Sequence, residues 1–226
     1  MKAEGDHAKL ISRLRRVADR LVARYGRPRR RAQDPLDTLI ETVLSQNTSD
    51  VNSGRAFAAL KAAFPSWVHA AQASSKALER AIRPGGLAPT KSRRIKRVLA
   101  AVRERAGRYD LGLLRRLPPE QADAWLHGLP GVGPKTRACV LLFACGHPAF
   151  PVDTHVQRIA RRAGFIGGKD SAEKAHALLL PAVPAGRHLD LHLNLIRLGR
   201  ELCRPHAPRC PECPIRSECD HGRRVA

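Results

Sequence analysis

A lysine that directly follows a glycine-rich turn is the first residue whose type and position favour covalent chemistry. The run reads Leu129-Pro130-Gly131-Val132-Gly133-Pro134-Lys135-Thr136. Two glycines two positions apart allow a tight turn whose backbone approaches a ligand closely. The N–H groups of such a turn, together with the start of the next helix, suit a phosphate oxygen. The run therefore predicts backbone anchoring of a nucleic acid, although an ordinary connection between two helices has the same composition.

Lys135 itself lies at the first turn of the helix expected after this run, where the helix dipole disfavours a cation. Many positive charges surround it in sequence, and both effects favour the neutral amine. A neutral amine can attack a sugar C1′, expel a base and form a Schiff base. A simple phosphate contact is the alternative, and it is the commoner task for a lysine beside nucleic acid.

An aspartate lies 18 residues after this lysine, in the run Pro151-Val152-Asp153-Thr154-His155. An amphipathic helical segment follows it, so Asp153 is well suited to cap that helix. It is also an acidic residue in a very basic neighbourhood, where a carboxylate could stabilise positive charge on a sugar and activate a nucleophile. The two roles are compatible.

Four cysteines crowd into the C-terminal segment with a 6-2-5 spacing: Cys203, Cys210, Cys213 and Cys219. Four thiolates at short spacing bind either zinc or an iron–sulfur cluster. Two CxxC pairs would favour zinc, and only one pair here has that spacing. Cys139 and Cys145 lie apart from this group in an apolar stretch and are expected to be buried residues rather than ligands.

The charge balance indicates a polyanionic partner. Lys and Arg total 41 against 20 Asp and Glu, a formal charge of +21, which favours nucleic acid over a merely solubilising surface. No run of 18 apolar residues is present, so no membrane span is predicted. The N-terminus has no apolar core of a signal peptide, and a cytoplasmic protein with reduced thiols is expected.

The periodic segments predict an all-α fold. Apolar residues recur at helical spacing in most of the chain, and no convincing strand alternation is present. Asp34 is expected to cap a helix that has Pro35 in its first turn. Asp170 and Glu173 have the spacing of a capping box before a further helix.

Taken together, the order of these motifs resembles the endonuclease III branch of the helix-hairpin-helix–Gly/Pro-Asp DNA glycosylases. The hairpin, the lysine, the Val-Asp-Thr-His run and the four cysteines occur in the family's order, from about residue 34 to 219. The resemblance implies that Lys135 is the Schiff-base nucleophile and Asp153 the catalytic carboxylate. It also implies a 4Fe–4S cluster on the four cysteines, with Gly199 letting the backbone pack close to it.

The resemblance further implies how a base would be extruded from the duplex. A polar side chain of the run 44–50 is expected to enter the helix, with Gln46 favoured over Asn47. Leu87 would act as an apolar wedge, unless it is a hydrophobic staple for the next helix. Gly131, Val132 and Gly133 would hold the DNA backbone, with Thr136 and His155 as further DNA contacts.

Two helical lobes with a DNA-binding groove between them are expected from the same resemblance. Residues 34–148 would form a six-helix barrel lobe that carries the hairpin, and residues 1–33 with 149–226 a lobe that holds the cluster. Lys135 and Asp153 would face each other in the groove. We expect a monomer that acts on double-stranded DNA with damaged bases or abasic sites, associated with a bacterial nucleoid.

The activity that this implies is removal of oxidised pyrimidines followed by β-elimination at the abasic site. One alternative is a monofunctional glycosylase that acts on mismatched or alkylated bases. The other is a metal-bearing DNA-binding protein without enzymatic activity. Relatives that only remove the base usually lack the hairpin lysine, so Lys135 favours the bifunctional reaction.

Overall fold

The computed structural model describes residues 2–225, with side chains from residue 5 onward. All regular structure in this part of the chain is helical, which confirms the all-α prediction. The fold divides into two compact units. We call Ala32–His147 the internal unit, and Met1–Arg31 together with Pro148–Ala226 the terminal unit. None of the helices described is long and apolar enough to cross a membrane.

The internal unit contains seven α-helices. Numbering starts in the terminal unit, whose first helix is α1 (Lys2–Tyr25). The helices of the internal unit are α2 (Pro35–Ser45), α3 (Asp50–Ala63), α4 (Trp67–Gln72), α5 (Ser75–Ile82), α6 (Ala88–Ala106), α7 (Pro119–His127) and α8 (Pro134–Cys139). Short 3-10 turns occupy Arg83–Gly85 and Gly112–Arg115, and a π-helix at Val140–Cys145 continues α8.

Helix α2 lies at the centre of the internal unit because most of its surface is apolar. Leu36, Leu39 and Ile40 are fully buried, and the helix packs against α3, α6, α8 and the π-helix. Its start is well defined: the Asp34 side chain accepts hydrogen bonds from the N–H groups of Leu36 and Asp37, and Pro35 occupies the first turn. The prediction for this N-terminus is confirmed.

The terminal unit contains α1, α9 (Thr154–Ala163), α10 (Ala172–Leu179), α11 (His188–Glu201) and α12 (Asp220–Arg224), with 3-10 turns at Leu180–Ala182, Cys210–Glu212 and Arg216–Glu218. Helix α11 packs against both α1 and α9. The core that they share also includes Ile215 and Cys219 from the C-terminal segment. The cysteine-bearing segment is therefore continuous with the hydrophobic core of this unit.

The prediction of a capping box that starts at Asp170 is wrong, because the N-cap of α10 lies one residue later. Ser171 caps α10 and accepts a hydrogen bond from the Lys174 N–H. The Asp170 carboxylate instead accepts from the Gly167 N–H at 2.7 Å and pairs with Lys174 at 2.7 Å. Aspartate and serine both cap helices well. Ser171 is the cap here because its backbone has the extended conformation that a cap requires.

Candidate functional site

The glycine-rich turn joins α7 to α8 as a tight hairpin. Gly131 has a φ of +73°, a left-handed conformation that side chains disfavour. The Val132 N–H donates to the Leu129 carbonyl at 3.3 Å, and the Val132 side chain is buried below the turn. Gly133 caps α8 without a side-chain hydrogen bond. The backbone at the start of α8 is therefore not covered by a capping side chain.

Lys135 lies in the first turn of α8 and is half-buried. Within the described part of the chain, its ammonium takes part in no hydrogen bond or ion pair. Arg137, on the same helix, is paired with Asp123 of α7 at 2.8 Å. The lysine amine is thus left available for chemistry.

A chain of three polar side chains lies directly behind the hairpin. Arg94 donates from Nη1 to the Gln46 side-chain oxygen, and the Gln46 amide lies 3.5 Å from the buried Thr136 hydroxyl. The Arg94 Nε is buried without a hydrogen-bond partner and lies 3.2 Å from where a Cβ on Gly131 would be. Glycine is therefore favoured here by the left-handed φ, and a Cβ would in addition lie close to the guanidinium.

Asp153 caps α9, which belongs to the terminal unit. Its Oδ1 accepts a hydrogen bond from the Val156 N–H at 2.8 Å, so the capping role proposed from the sequence is confirmed. The preceding residue is also held: the Val152 N–H donates to His176 Nε2 at 2.9 Å, and His176 Nδ1 then donates to the Ala172 carbonyl at 2.7 Å. This arrangement fixes the backbone on which the carboxylate is carried.

His155 is half-buried against α11 rather than fully exposed. Arg158 donates to its Nδ1 at 3.0 Å, and a Cβ on Gly199 would lie 2.7 Å from the same nitrogen. Burial lowers the pKa of His155, which the Asp153 charge offsets only in part. Gly199 thus admits the His155 ring, and its role in letting the backbone pack close to a cluster stays a prediction.

The four C-terminal cysteines line one pocket in the terminal unit, together with apolar residues such as Ile159, Leu198 and Ile215. The volume of this cavity, including its open mouth, is about 370 Å³. Among the residues described, no group of three or more His, Cys, Asp or Glu is arranged to hold a metal ion.

Burial and the neighbouring cysteines raise the pKa of Cys213 to about 11 and also raise that of Cys219. Two sulfurs accept hydrogen bonds: Arg162 donates to Cys203 at 3.3 Å, and the Gly222 N–H donates to Cys219 at 3.3 Å. A cationic group bound in the pocket would favour the thiolate forms.

The two loops expected to enter DNA both belong to the internal unit. Gln46 is half-buried and engaged with Arg94, whereas Asn47 is exposed and has a φ of +53°. Leu87 is 55% exposed and has a φ of +49°. This exposure argues against the hydrophobic-staple alternative, because a staple residue would be packed on the following helix.

Residues 40–185 match the HhH-GPD family, described as the HhH-GPD superfamily base excision DNA repair proteins. The chain belongs to this superfamily. Endonuclease III of Thermotoga maritima is 33% identical over 92% of each chain. An Arabidopsis thaliana protein described as a DNA glycosylase is 44% identical over 73% of this chain and 56% of its own length. The chain thus spans little more than half of that plant relative.

A solved structure of a trapped endonuclease III–DNA covalent intermediate has a TM-score of 0.80 and 27% identity, over 95% of this chain and 97% of that one. These comparisons place the chain in the endonuclease III family of the HhH-GPD superfamily. The resemblance drawn from the motifs is therefore confirmed at the level of the family.

Sequence reasoning missed three side chains that organise these elements in the HhH-GPD protein. Arg94 packs against the hairpin, His176 holds the backbone before Asp153, and Lys91 binds two carbonyls in the internal unit. In the sequence Arg94 is only one of several neighbouring basic residues, and the other two side chains carry no motif. Apart from Gly85, the partners in these contacts lie 24 to 48 residues away in sequence, so spacing gives no signal for them.

Proposed function

We propose that this protein is a bifunctional DNA glycosylase that removes oxidised pyrimidines from double-stranded DNA and then cleaves the abasic strand by β-elimination. The observation that carries the proposal is the unpartnered Lys135 amine, half-buried beside a backbone hairpin suited to phosphate. A relative whose covalent complex with DNA has been trapped supports the same chemistry. The charge of +21 supports DNA as the partner, and we expect the protein to act as a monomer in the bacterial nucleoid.

In the proposed reaction, Lys135 attacks C1′ of the flipped nucleotide and the glycosidic bond breaks. The base leaves with a proton, and opening of the sugar ring gives a protonated Schiff base between Nζ and C1′. Loss of a C2′ proton then expels the 3′ phosphate, and water hydrolyses the Schiff base to free the lysine. Asp153 accepts the proton of the lysine ammonium, and its charge stabilises positive charge on the sugar.

The hairpin and two loops would hold the nucleotide in its extruded position. The backbone of Gly131, Val132 and Gly133 would bind a phosphate without reading sequence. Leu87 would enter the duplex as an apolar wedge, and a polar side chain at Gln46 or Asn47 would fill the space left by the base. The contact with Arg94 favours Asn47, since Gln46 would have to leave that contact first. Thr136 and His155 remain candidates for further contacts.

A 4Fe–4S cluster on Cys203, Cys210, Cys213 and Cys219 fits the chemistry of their pocket. Four cysteines line one apolar cavity in which two sulfurs accept N–H donors, as is typical of thiolate ligands. A four-iron cluster spans several ångströms, so its thiolates need not converge on one point as they do around a single ion. When bound, the cluster would brace the segment 203–219, on which Arg204, Arg209 and Arg216 are carried.

The proposal is tested with a panel of duplexes that each contain one damaged base, scored separately for base release and strand cleavage. The wild-type protein is expected to release oxidised pyrimidines and to cleave the same strands. Lys135→Gln is expected to lose strand cleavage. Base release without cleavage by the wild type would show a monofunctional glycosylase, and neither activity with intact DNA affinity would show a binding protein.

A further inference from the structure

Lys91 is a buried lysine whose ammonium binds two main-chain carbonyls. The residue is only 4% exposed, although it belongs to the highly charged helix α6. Its Nζ donates to the Leu44 carbonyl at 2.7 Å and to the Gly85 carbonyl at 2.8 Å. Both acceptors are neutral, and burial lowers the pKa of this lysine. The charge is therefore satisfied by backbone dipoles rather than by a carboxylate.

The two carbonyls belong to the two loops that the proposed function places in the duplex. Leu44 lies in the last turn of α2, two residues before Gln46, and Gly85 lies in a 3-10 turn, two residues before Leu87. Carbonyls at helix ends lack internal partners and favour a cation. One side chain thus joins the starting points of both loops.

Backbone strain is concentrated in the same two loops. Among the described residues, only Asn47, Leu87 and Ala207 have a positive φ without being glycine. Such conformations cost free energy and persist only where the surroundings enforce them. Gly85 contributes to this rigidity, because a Cβ there would lie 2.9 Å from the Ala56 side chain on α3.

We propose that Lys91 is a positioning residue that fixes the separation of the loops at Asn47 and Leu87, so that both enter the DNA duplex as one rigid unit. The inference rests on the proposed function, which supplies the duplex. Packing alone does not account for a lysine here, because an apolar side chain of similar volume would fill the space without the desolvation cost of an ammonium.

Lys96 provides a matched control on the same helix. Its Nζ also donates to two backbone carbonyls, of Ala71 at 2.5 Å and Ala73 at 2.7 Å, at the end of α4, which belongs to neither loop. Lys91→Met and Lys96→Met therefore remove the same type of interaction. Only the first removes the tie between the loops.

The test uses a duplex with one oxidised pyrimidine and a neighbouring 2-aminopurine, whose fluorescence rises when stacking is lost. We expect Lys91→Met to lower the single-turnover excision rate roughly 10- to 100-fold, as an ångström-scale misplacement does, and to abolish most of the fluorescence rise. Its affinity for undamaged duplex should stay unchanged, and Lys96→Met should behave like the wild type in all three measurements.

Equal fluorescence and excision in the two lysine variants would overturn the role of Lys91. A failure of the proposed function would look different, because the wild type would then release no base. The fluorescence rise could still be compared between the wild type and the two lysine variants. If Lys91→Met does not fold, Asn47→Ala, Leu87→Ala and the double variant carry the test. If the loops act as one unit, the double variant should lose little more activity than the more damaging single variant. A double variant whose loss equals the product of the two single losses would contradict the inference.

Discussion

At the residue scale, Asp153 combines a structural task with the chemical one proposed for it. Its Oδ1 caps α9 by accepting the Val156 N–H. Asparagine caps helices about as well as aspartate but carries no charge. The substitution Asp153→Asn therefore separates the two tasks.

We predict that Asp153→Asn keeps the thermal unfolding temperature close to that of the wild type and lowers the single-turnover excision rate by about 10²- to 10⁴-fold, the range of general acid–base catalysis. Circular dichroism melting and excision of an oxidised pyrimidine measure the two effects. Asp153→Ser, which also caps, is the control and should lose the same activity. An Asn variant that is unstable but normally active per folded molecule would assign Asp153 to capping alone.

The residue types of the candidate site could be predicted from the sequence, whereas their supporting contacts could not. Lys135, Asp153 and the cysteines are distinguished by local spacing, which a sequence displays directly. The contacts of Arg94 with Gln46 and of Lys91 with Leu44 join positions 47 or 48 residues apart. Nothing in the local sequence specifies which distant carbonyl a buried cation will reach.

At the scale of the elements, Gly199 allows the close approach of α9 and α11. Its missing Cβ would lie 2.7 Å from His155 Nδ1 and 2.9 Å from His155 Cβ. Helix α9 carries Asp153 at its start, and Arg158 ties the same helix to the Gly199 and Cys203 carbonyls at 2.9 Å each. The position of the carboxylate therefore depends on how these two helices pack.

We predict that Gly199→Ala destabilises the protein by about 1–3 kcal/mol, as overpacking does. Gly54→Ala is the matched control, since Gly54 is also helical and a Cβ there meets nothing within 4 Å. It should instead stabilise by about 0.5–1 kcal/mol. Urea denaturation measures both variants, and an unchanged midpoint for Gly199→Ala would contradict the packing argument.

Helix periodicity predicted the elements better than their ends. The helix after Asp34 begins where the cap and the proline indicate, because Asp34 is followed directly by Pro35 in the first turn. Before α10, by contrast, Asp170 and Ser171 are adjacent and both are good caps. Asp170 is engaged by the turn at Gly167, which leaves Ser171 as the cap. That competition is decided by the geometry of the local turn at Gly167, which residue type alone does not specify.

At the scale of the whole molecule, the charge of +21 is expected to dominate the interaction with the DNA proposed as the partner. Each phosphate neutralised by a basic side chain releases counterions, so affinity falls steeply as salt rises. This contribution does not depend on the lesion, because phosphates carry no sequence or damage information.

We predict that affinity for undamaged duplex falls by roughly 10³-fold or more between 50 and 200 mM salt, as for six to ten phosphate contacts. Fluorescence anisotropy with a labelled duplex measures the salt dependence. Lys135→Gln removes a single charge and should leave the slope almost unchanged. A nearly salt-independent affinity would contradict electrostatic anchoring by the basic surface.

The sequence predicted the fold class and family because its motifs occur in a fixed order along nearly the whole chain. Preference for a particular lesion depends on a pocket built from several helices, which local patterns do not describe. The polar residue proposed to enter the duplex is a similar case: the family resemblance favoured Gln46, whereas Asn47 is the exposed neighbour with a positive φ.

Borohydride reduction during the reaction tests whether Lys135 forms a Schiff base with DNA, since it converts such a bond into a stable amine. With a duplex that contains an oxidised pyrimidine, we predict a covalent protein–DNA adduct whose peptide map assigns the linkage to Lys135, and no adduct with Lys135→Gln. An adduct on another residue, or strand cleavage without any trapped adduct, would contradict this prediction.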